Sequence, residues 1–308
     1  MLKCIALIFI LVSATTASAI ASPTTYRSTN VNGIRIFYRE AGPKDAPTVL
    51  LLHGFPSSSH MFRNLIPQLA EHYHVVAPDY PGFGYSDQPS LKKFSYSFPA
   101  LADLMDHFTQ HIGLQNYVLY MQDYGGPVGF RLAVKYPERV RGMIVQNATI
   151  AAEGWNAEVT KPFGPFWKHR SAKTEVPMRA FLKAETTKWQ YTQGEQDQNV
   201  LNPDAWTHDQ IALDRKGNDK IQLQYLWSYQ DNLAQYPVWQ DYLKNNQPPL
   251  LIVWGKNDPF FTLAGVEKIK YLDPKTETHL YEAGHFALES HGEEIAATIN
   301  AFLSANLK

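Results

Sequence analysis

Three residues far apart in the chain would supply a nucleophile, an acid and a base if the fold brought them together: Asp123, Asp258 and His285. Each follows a short β-rich run with strand character, and ligands of open α/β sheets bind outside the carboxyl ends of the strands. Asp123 stands in Met121-Gln122-Asp123-Tyr124-Gly125-Gly126, between a strand-like and a helix-like segment. A tight strand-turn-helix needs small residues so that its central side chain is pushed out at the sheet's edge. Gly125 and Gly126 provide them on the helix side, while Met121 occupies the strand-side position where glycine is usual. Asp258 lies in Gly255-Lys256-Asn257-Asp258-Pro259 and His285 in Ala283-Gly284-His285-Phe286. Singly, each has a plain structural reading: Asp is a favoured helix N-cap, Asn-Asp-Pro is a stock turn, and a histidine packs like any other side chain. Their joint order, each after a strand, points instead to covalent catalysis. An ordinary Asp titrates near about 3.9 and is ionised at neutral pH without help from a base. The histidine is then free to deprotonate the water that hydrolyses the resulting ester, with the second Asp stabilising its imidazolium.

The elements needed to position these residues are legible. Tyr26 to Thr29 and Ile34 to Tyr38 flank Asn32-Gly33, a type I′ hairpin signal. Thr48–Leu52, His74–Val76, Tyr117–Met121, Gly142–Val145, Leu250–Trp254 and Thr278–Tyr281 are β-rich runs separated by amphipathic segments. Phe98, Leu101, Leu104, Met105, Phe108 and Ile112 fall on one helical face, as do Ile295, Ile299, Phe302 and Leu303. Alternation of this kind predicts an α/β fold, a doubly wound, mostly parallel sheet with crossover helices. It breaks between 151 and 246, a stretch rich in Trp, Tyr, Gln, Asn and Lys, read as an inserted helical cap. The core then comprises 22–150 and 247–308, resuming after Asn246-Gln247-Pro248-Pro249.

Composition excludes several classes. The 308 residues carry 28 Lys plus Arg against 29 Asp plus Glu, with no basic run to neutralise a phosphate backbone, so nucleic acid is not an expected partner. No metal-ligand spacing or phosphate-cradling glycine loop is visible, and no cofactor is expected. Met1-Leu2-Lys3, the apolar run Cys4 to Val12 and the small residues through Ala21 form a signal-peptide pattern over 1–21. Ser13, Thr15, Thr16 and Ser18 interrupt the run well short of the about 20 apolar residues a membrane anchor needs. Cleavage would take the formal net charge from −1 to −2, remove the sole cysteine, Cys4, and leave an exported protein, secreted or periplasmic, with no membrane association.

The chain resembles the α/β-hydrolase superfamily and, within it, the Asp-nucleophile branch of epoxide hydrolases and haloalkane dehalogenases. The resemblance rests on the hairpin start, His53-Gly54-Phe55-Pro56, Asp79-Tyr80-Pro81-Gly82-Phe83-Gly84-Tyr85-Ser86, the Asp elbow, a cap, and the Asp258 and His285 loops. It implies Asp123 as nucleophile, His285 as base, Asp258 as the orienting acid, and the N–H groups of Phe55 and Tyr124 as oxyanion hole. Asn147, ending its strand without a carboxylate, agrees with the acid being Asp258.

The substrate class turns on what stabilises the leaving group. An epoxide oxygen needs a proton donor such as a tyrosine, whereas a halide needs only N–H or O–H donors. Tyr229, in Trp227-Ser228-Tyr229-Gln230-Asp231-Asn232, resembles the tyrosine-bearing segment of epoxide hydrolase caps, with Tyr191 as a candidate second tyrosine. Trp167, in Gly164-Pro165-Phe166-Trp167-Lys168, resembles a halide-binding cap tryptophan, and Gln122 with the bulky Met121 resembles a dehalogenase elbow. The tryptophan that follows the nucleophile in dehalogenases is Tyr124 here. The expected activity is hydrolysis of a small apolar epoxide to a diol, with water as second reactant. A haloalkane or haloacid dehalogenase is the alternative, and a binding protein or cofactor-free oxygenase on the same fold is a third reading.

Overall fold

The computed structural model describes residues 23–307; the signal-peptide expectation for 1–21 falls outside them. Eight strands form one sheet: β1 Thr25–Val31, β2 Ile34–Ala41, β3 Thr48–Leu52, β4 His74–Pro78, β5 Tyr117–Gln122, β6 Val140–Gln146, β7 Leu250–Gly255 and β8 Glu277–Tyr281. Their spatial order is β1-β2-β4-β3-β5-β6-β7-β8, with β2 antiparallel to both neighbours and every pairing from β4 to β8 parallel. The hairpin turns at Asn32 and Gly33, both at positive φ as a type I′ turn requires.

Strand residues alternate between two cores, one on each face of the sheet. Leu50 and Leu52 of β3, Leu119 and Met121 of β5, and Ile252 and Trp254 of β7 face one core. Val49 and Leu51, Val118 and Tyr120, and Leu251 and Val253 face the other. Because both faces are covered, the central strands read as continuous apolar runs. Helix Phe98–His111 begins at the Ser97 N-cap, whose hydroxyl accepts the Ala100 N–H, and packs with Gly125–Lys135 on the first face. Helix Leu288–Asn306 lies on the second.

Between β6 and β7 no strand forms, and eight α-helices from Ala157–Thr160 to Tyr236–Asn246 occupy the interval. Aromatic residues of this interval contact the sheet's carboxyl edge: Tyr225 packs on Phe83 and Tyr229 on Phe98 and Tyr124. Among the described residues, no helix is long and apolar enough to cross a membrane.

Candidate active site

The carboxyl ends of β5, β7 and β8 carry Asp123, Asp258 and His285 to one point. Asp123 takes a left-handed backbone, φ 47°, so its side chain leaves the end of β5 before helix Gly125–Lys135 begins. The turn is tight: a Cβ on Gly125 would lie 2.1 Å from the Leu52 carbonyl oxygen, and one on Gly54 2.3 Å from Asp123 Cβ. Met121 is accommodated by a different glycine. A Cβ on Gly129, one turn into the helix, would stand 2.3 Å from Met121 Sδ, so the space usually left by a small strand-side residue comes from the helix.

The Phe55 N–H donates to Asp123 Oδ1 at 2.6 Å, leaving Oδ2 for a ligand. Burial pushes the Asp123 carboxyl up to about 6, against the opposing charge of His285 and the N–H groups of Phe55 and Tyr124. The ordinary acidity assumed from residue type alone therefore does not hold: this carboxylate is costly to bury. His285 Nδ1 lies 2.8 Å from Asp258 Oδ2. Burial lowers the imidazole's pKa, but the charge and hydrogen bond of Asp258, with Asp123 adding to them, outweigh it and leave the value raised. Asp258 is itself braced. Asn147 Nδ2 donates to Asp258 Oδ2 at 2.7 Å and to the Gly255 carbonyl, its Oδ1 accepts the Gly255 N–H, and the Phe260 N–H donates to Asp258 Oδ1 at 2.7 Å. The role of Asn147 is thus positive, a clamp between β6 and the acid loop. Its fully buried side chain is also closed to glycosylation.

Gln122 completes the ring, its Nε2 lying 2.9 Å from His285 Nε2. His53 stays below the triad as a scaffold: Nε2 accepts the Tyr80 N–H, Nδ1 meets the Gly54 carbonyl, and burial lowers its pKa to about 4, keeping the ring neutral.

Above Asp123 and His285 lies a cavity of about 40 Å³, walled by Tyr124, Trp155 and Tyr229 and by Phe163, Phe181, Phe260 and Phe261, with Gln190 among them. A wider polar groove of about 550 Å³ runs along the opposite, amino ends of the strands, away from these side chains. Tyr229 is buried, and burial holds its phenol well above the ordinary tyrosine value and hence protonated. Its hydroxyl is in loose hydrogen-bonding contact with the Tyr236 hydroxyl, which affects the ionisation of both phenols, but makes no hydrogen bond of good geometry among the described residues. The Tyr124 hydroxyl is also buried and unpartnered.

Two residues expected at the substrate lie elsewhere. Tyr191 is absent from the cavity wall; it donates to Asp209 at 2.5 Å and stacks on Phe286 with ring centroids 3.8 Å apart. Trp167 lies behind Tyr229, and its indole N–H donates to the Leu226 carbonyl at 2.8 Å. The tryptophan in the wall is Trp155, which sequence reasoning did not single out; its N–H goes to the Tyr236 hydroxyl at 2.8 Å. Among the described residues no group of three or more His, Cys, Asp or Glu is placed to hold a metal.

The fold that carries these residues is matched by known proteins. The profile of the alpha/beta hydrolase fold family matches residues 47–292, so the chain belongs to that family. It is 38% identical over 281 residues to an uncharacterized hydrolase of Saccharomyces cerevisiae, covering 89% of this chain and 95% of the relative. A haloalkane dehalogenase of Psychrobacter cryohalolentis is 27% identical over 295 residues, covering 89% and 88% respectively. The solved structure of the epoxide hydrolase CorEH superposes with a TM-score of 0.74 at 20% identity, over 92% of this chain and 99% of that one.

Proposed function

We propose that the protein is an epoxide hydrolase acting through an ester of Asp123. The observation that carries this reading is the set of donors left free beside Asp123. The indole N–H groups of Trp155 and Trp167 are both spent on protein oxygens, whereas the Tyr229 phenol is protonated, buried and unpartnered. A halide would find no free indole N–H there and would rest on the hydroxyls of Tyr124 and Tyr229 and the Gln190 amide, while an epoxide oxygen needs the proton a phenol carries. Among the described residues no Lys or Arg lines the cavity, so the carboxylate of a haloacid would be buried without a counter-charge.

Asp123 Oδ2 attacks an epoxide carbon, the C–O bond breaks, and the oxygen takes the Tyr229 proton, giving a hydroxyalkyl ester and a phenolate. The Asp123 oxygen already held by the Phe55 N–H becomes the ester carbonyl oxygen and is in place for the negative charge of the tetrahedral intermediate. Esterification removes the Asp123 charge, one of the influences that raise the His285 pKa, so alkylation itself makes the imidazole more readily neutral. His285 Nε2, once its lone pair is released from the Gln122 amide, deprotonates water, which attacks the ester carbon. Collapse breaks the acyl C–O bond, the leaving alkoxide takes the proton that remains on the water-derived oxygen to give the diol and restore the carboxylate, and the proton taken by His285 passes from the imidazolium to the Tyr229 phenolate. The test is the intact mass of His285→Ala after incubation with small epoxides and haloalkanes. An adduct of the whole epoxide is expected; an alkyl group lacking its halogen would identify a dehalogenase, and no adduct would remove Asp123 from the role of nucleophile.

A further inference from the structure

We propose that Gln190 is a substrate-binding residue that selects small, neutral epoxides bearing an oxygen function next to the ring. This rests on the epoxide hydrolase reading and narrows it. Gln190 lies in helix Ala184–Thr192, lines the cavity, and is 2% exposed. Its Nε2 is buried without a partner among the described residues. Such a donor carries a desolvation cost that a purely structural glutamine would relieve by bonding to backbone or a neighbouring side chain. Most of the wall is aromatic ring, Phe181 and Phe260 among them, and the Tyr124 and Tyr229 hydroxyls in it do not reach Gln190, being themselves without a hydrogen bond of good geometry among the described residues. The missing acceptor is therefore supplied by what enters the cavity. The ligand carries one hydroxyl, ether or carbonyl oxygen besides the reacting one, and no negative charge, because no Lys or Arg among the described residues lines the space. The cavity, about 40 Å³, suits a small ligand.

Glycidol and 1,2-epoxybutane make a matched pair, differing by a hydroxyl in place of a methyl. An aromatic cavity alone would favour the methyl. The wild-type protein is expected to have the higher kcat/KM for glycidol, and Gln190→Met to lower the glycidol-to-epoxybutane ratio about tenfold. Binding of the product diols, glycerol and 1,2-butanediol, followed by tryptophan fluorescence, gives the same comparison without chemistry. Should Gln190→Met not fold, the wild-type preference between the two diols decides. Turnover of both epoxides with the methyl preferred, or with a ratio unmoved by Gln190→Met, overturns the assignment of Gln190 and leaves the epoxide hydrolase reading standing. Turnover of neither epoxide, with glycerol still preferred and the preference lost in Gln190→Met, overturns the epoxide reading and keeps Gln190 as the ligand's polar contact.

Discussion

The Gln122 amide nitrogen and His285 Nε2 lie 2.9 Å apart, on the side of the ring opposite the Asp258 contact. With Nδ1–H donating to Asp258, the Nε2 lone pair accepts from Gln122, so the two neighbours fix one neutral tautomer. Gln122 Oε1 has no partner among the described residues. It is the end of the amide that an imidazolium N–H would require once the ring has taken a proton.

A carboxylate in place of that amide should trap the imidazolium. An opposite charge at this distance shifts a histidine by about 1–3 pKa units. In Gln122→Glu, hydrolysis of the Asp123 ester is expected to slow about 10- to 100-fold at pH 7 while alkylation changes little. Rapid-quench mass spectrometry would show the ester accumulating; a steady state without ester would contradict this.

Asp123 sets a pH-dependent stability cost. Its folded pKa, about 6, lies above the ordinary value of 3.8. The folded protein therefore loses stability as pH rises from about 4 to about 6, and the loss is complete above that window. Asp123→Asn is expected to raise the melting temperature by a few degrees at pH 7.5, a gain of about 2 kcal/mol, and to lose most of that gain near pH 4.5. Melting curves across this range check the sign. The same titration predicts that wild-type alkylation falls below about pH 6, as the carboxylate protonates.

Tyr229→Phe removes the proposed proton donor and, within the described protein, only a loose contact with the Tyr236 hydroxyl. Alkylation by an epoxide should drop about 100-fold or more, while stability is unchanged or improved. Trp167→Phe, whose indole N–H reaches only the Leu226 carbonyl, should alter alkylation far less. Single-turnover kinetics with calorimetry on both variants distinguishes the two residues.

The pairing of Met121 with Gly129 can be measured directly. Gly129→Ala puts a methyl where Met121 Sδ lies and should cost about 1–3 kcal/mol by overpacking. Met121→Ala should relieve part of that cost in the double variant. Urea unfolding of the cycle is expected to give a non-zero coupling.

The placement of Asp123, Asp258 and His285 could be read from the sequence because each follows a β-rich run, and the eight strands of the sheet fall where those runs lie. Tertiary partners could not be read in this way. Nothing in the text at Asn147 announces a clamp on Asp258, and Trp155 stands in a loop after β6 with no periodic pattern to aim it. Gln190 and Tyr191 are neighbours in one helix, where successive side chains point about 100° apart. The aromatic residue drew attention, yet it faces Phe286 and Asp209 while the amide beside it faces the cavity wall. Gln122 is legible as part of the elbow, but its contact with the far nitrogen of His285 is not.

Residues 191–195 bind the loops that carry both His285 and Asp258. Tyr191 stacks on Phe286, Glu195 accepts the Gly284 N–H at 2.8 Å, a Cβ on Gly284 would meet the Gln193 carbonyl at 2.1 Å, and Asn257 donates to the Gly194 carbonyl at 3.1 Å. The helices between β6 and β7 are consequently not an interchangeable module. A chimera that grafts this interval from a relative inherits a foreign mount for its base and acid, and its activity will depend on whether residues 191–195 travel with the host sheet or with the graft.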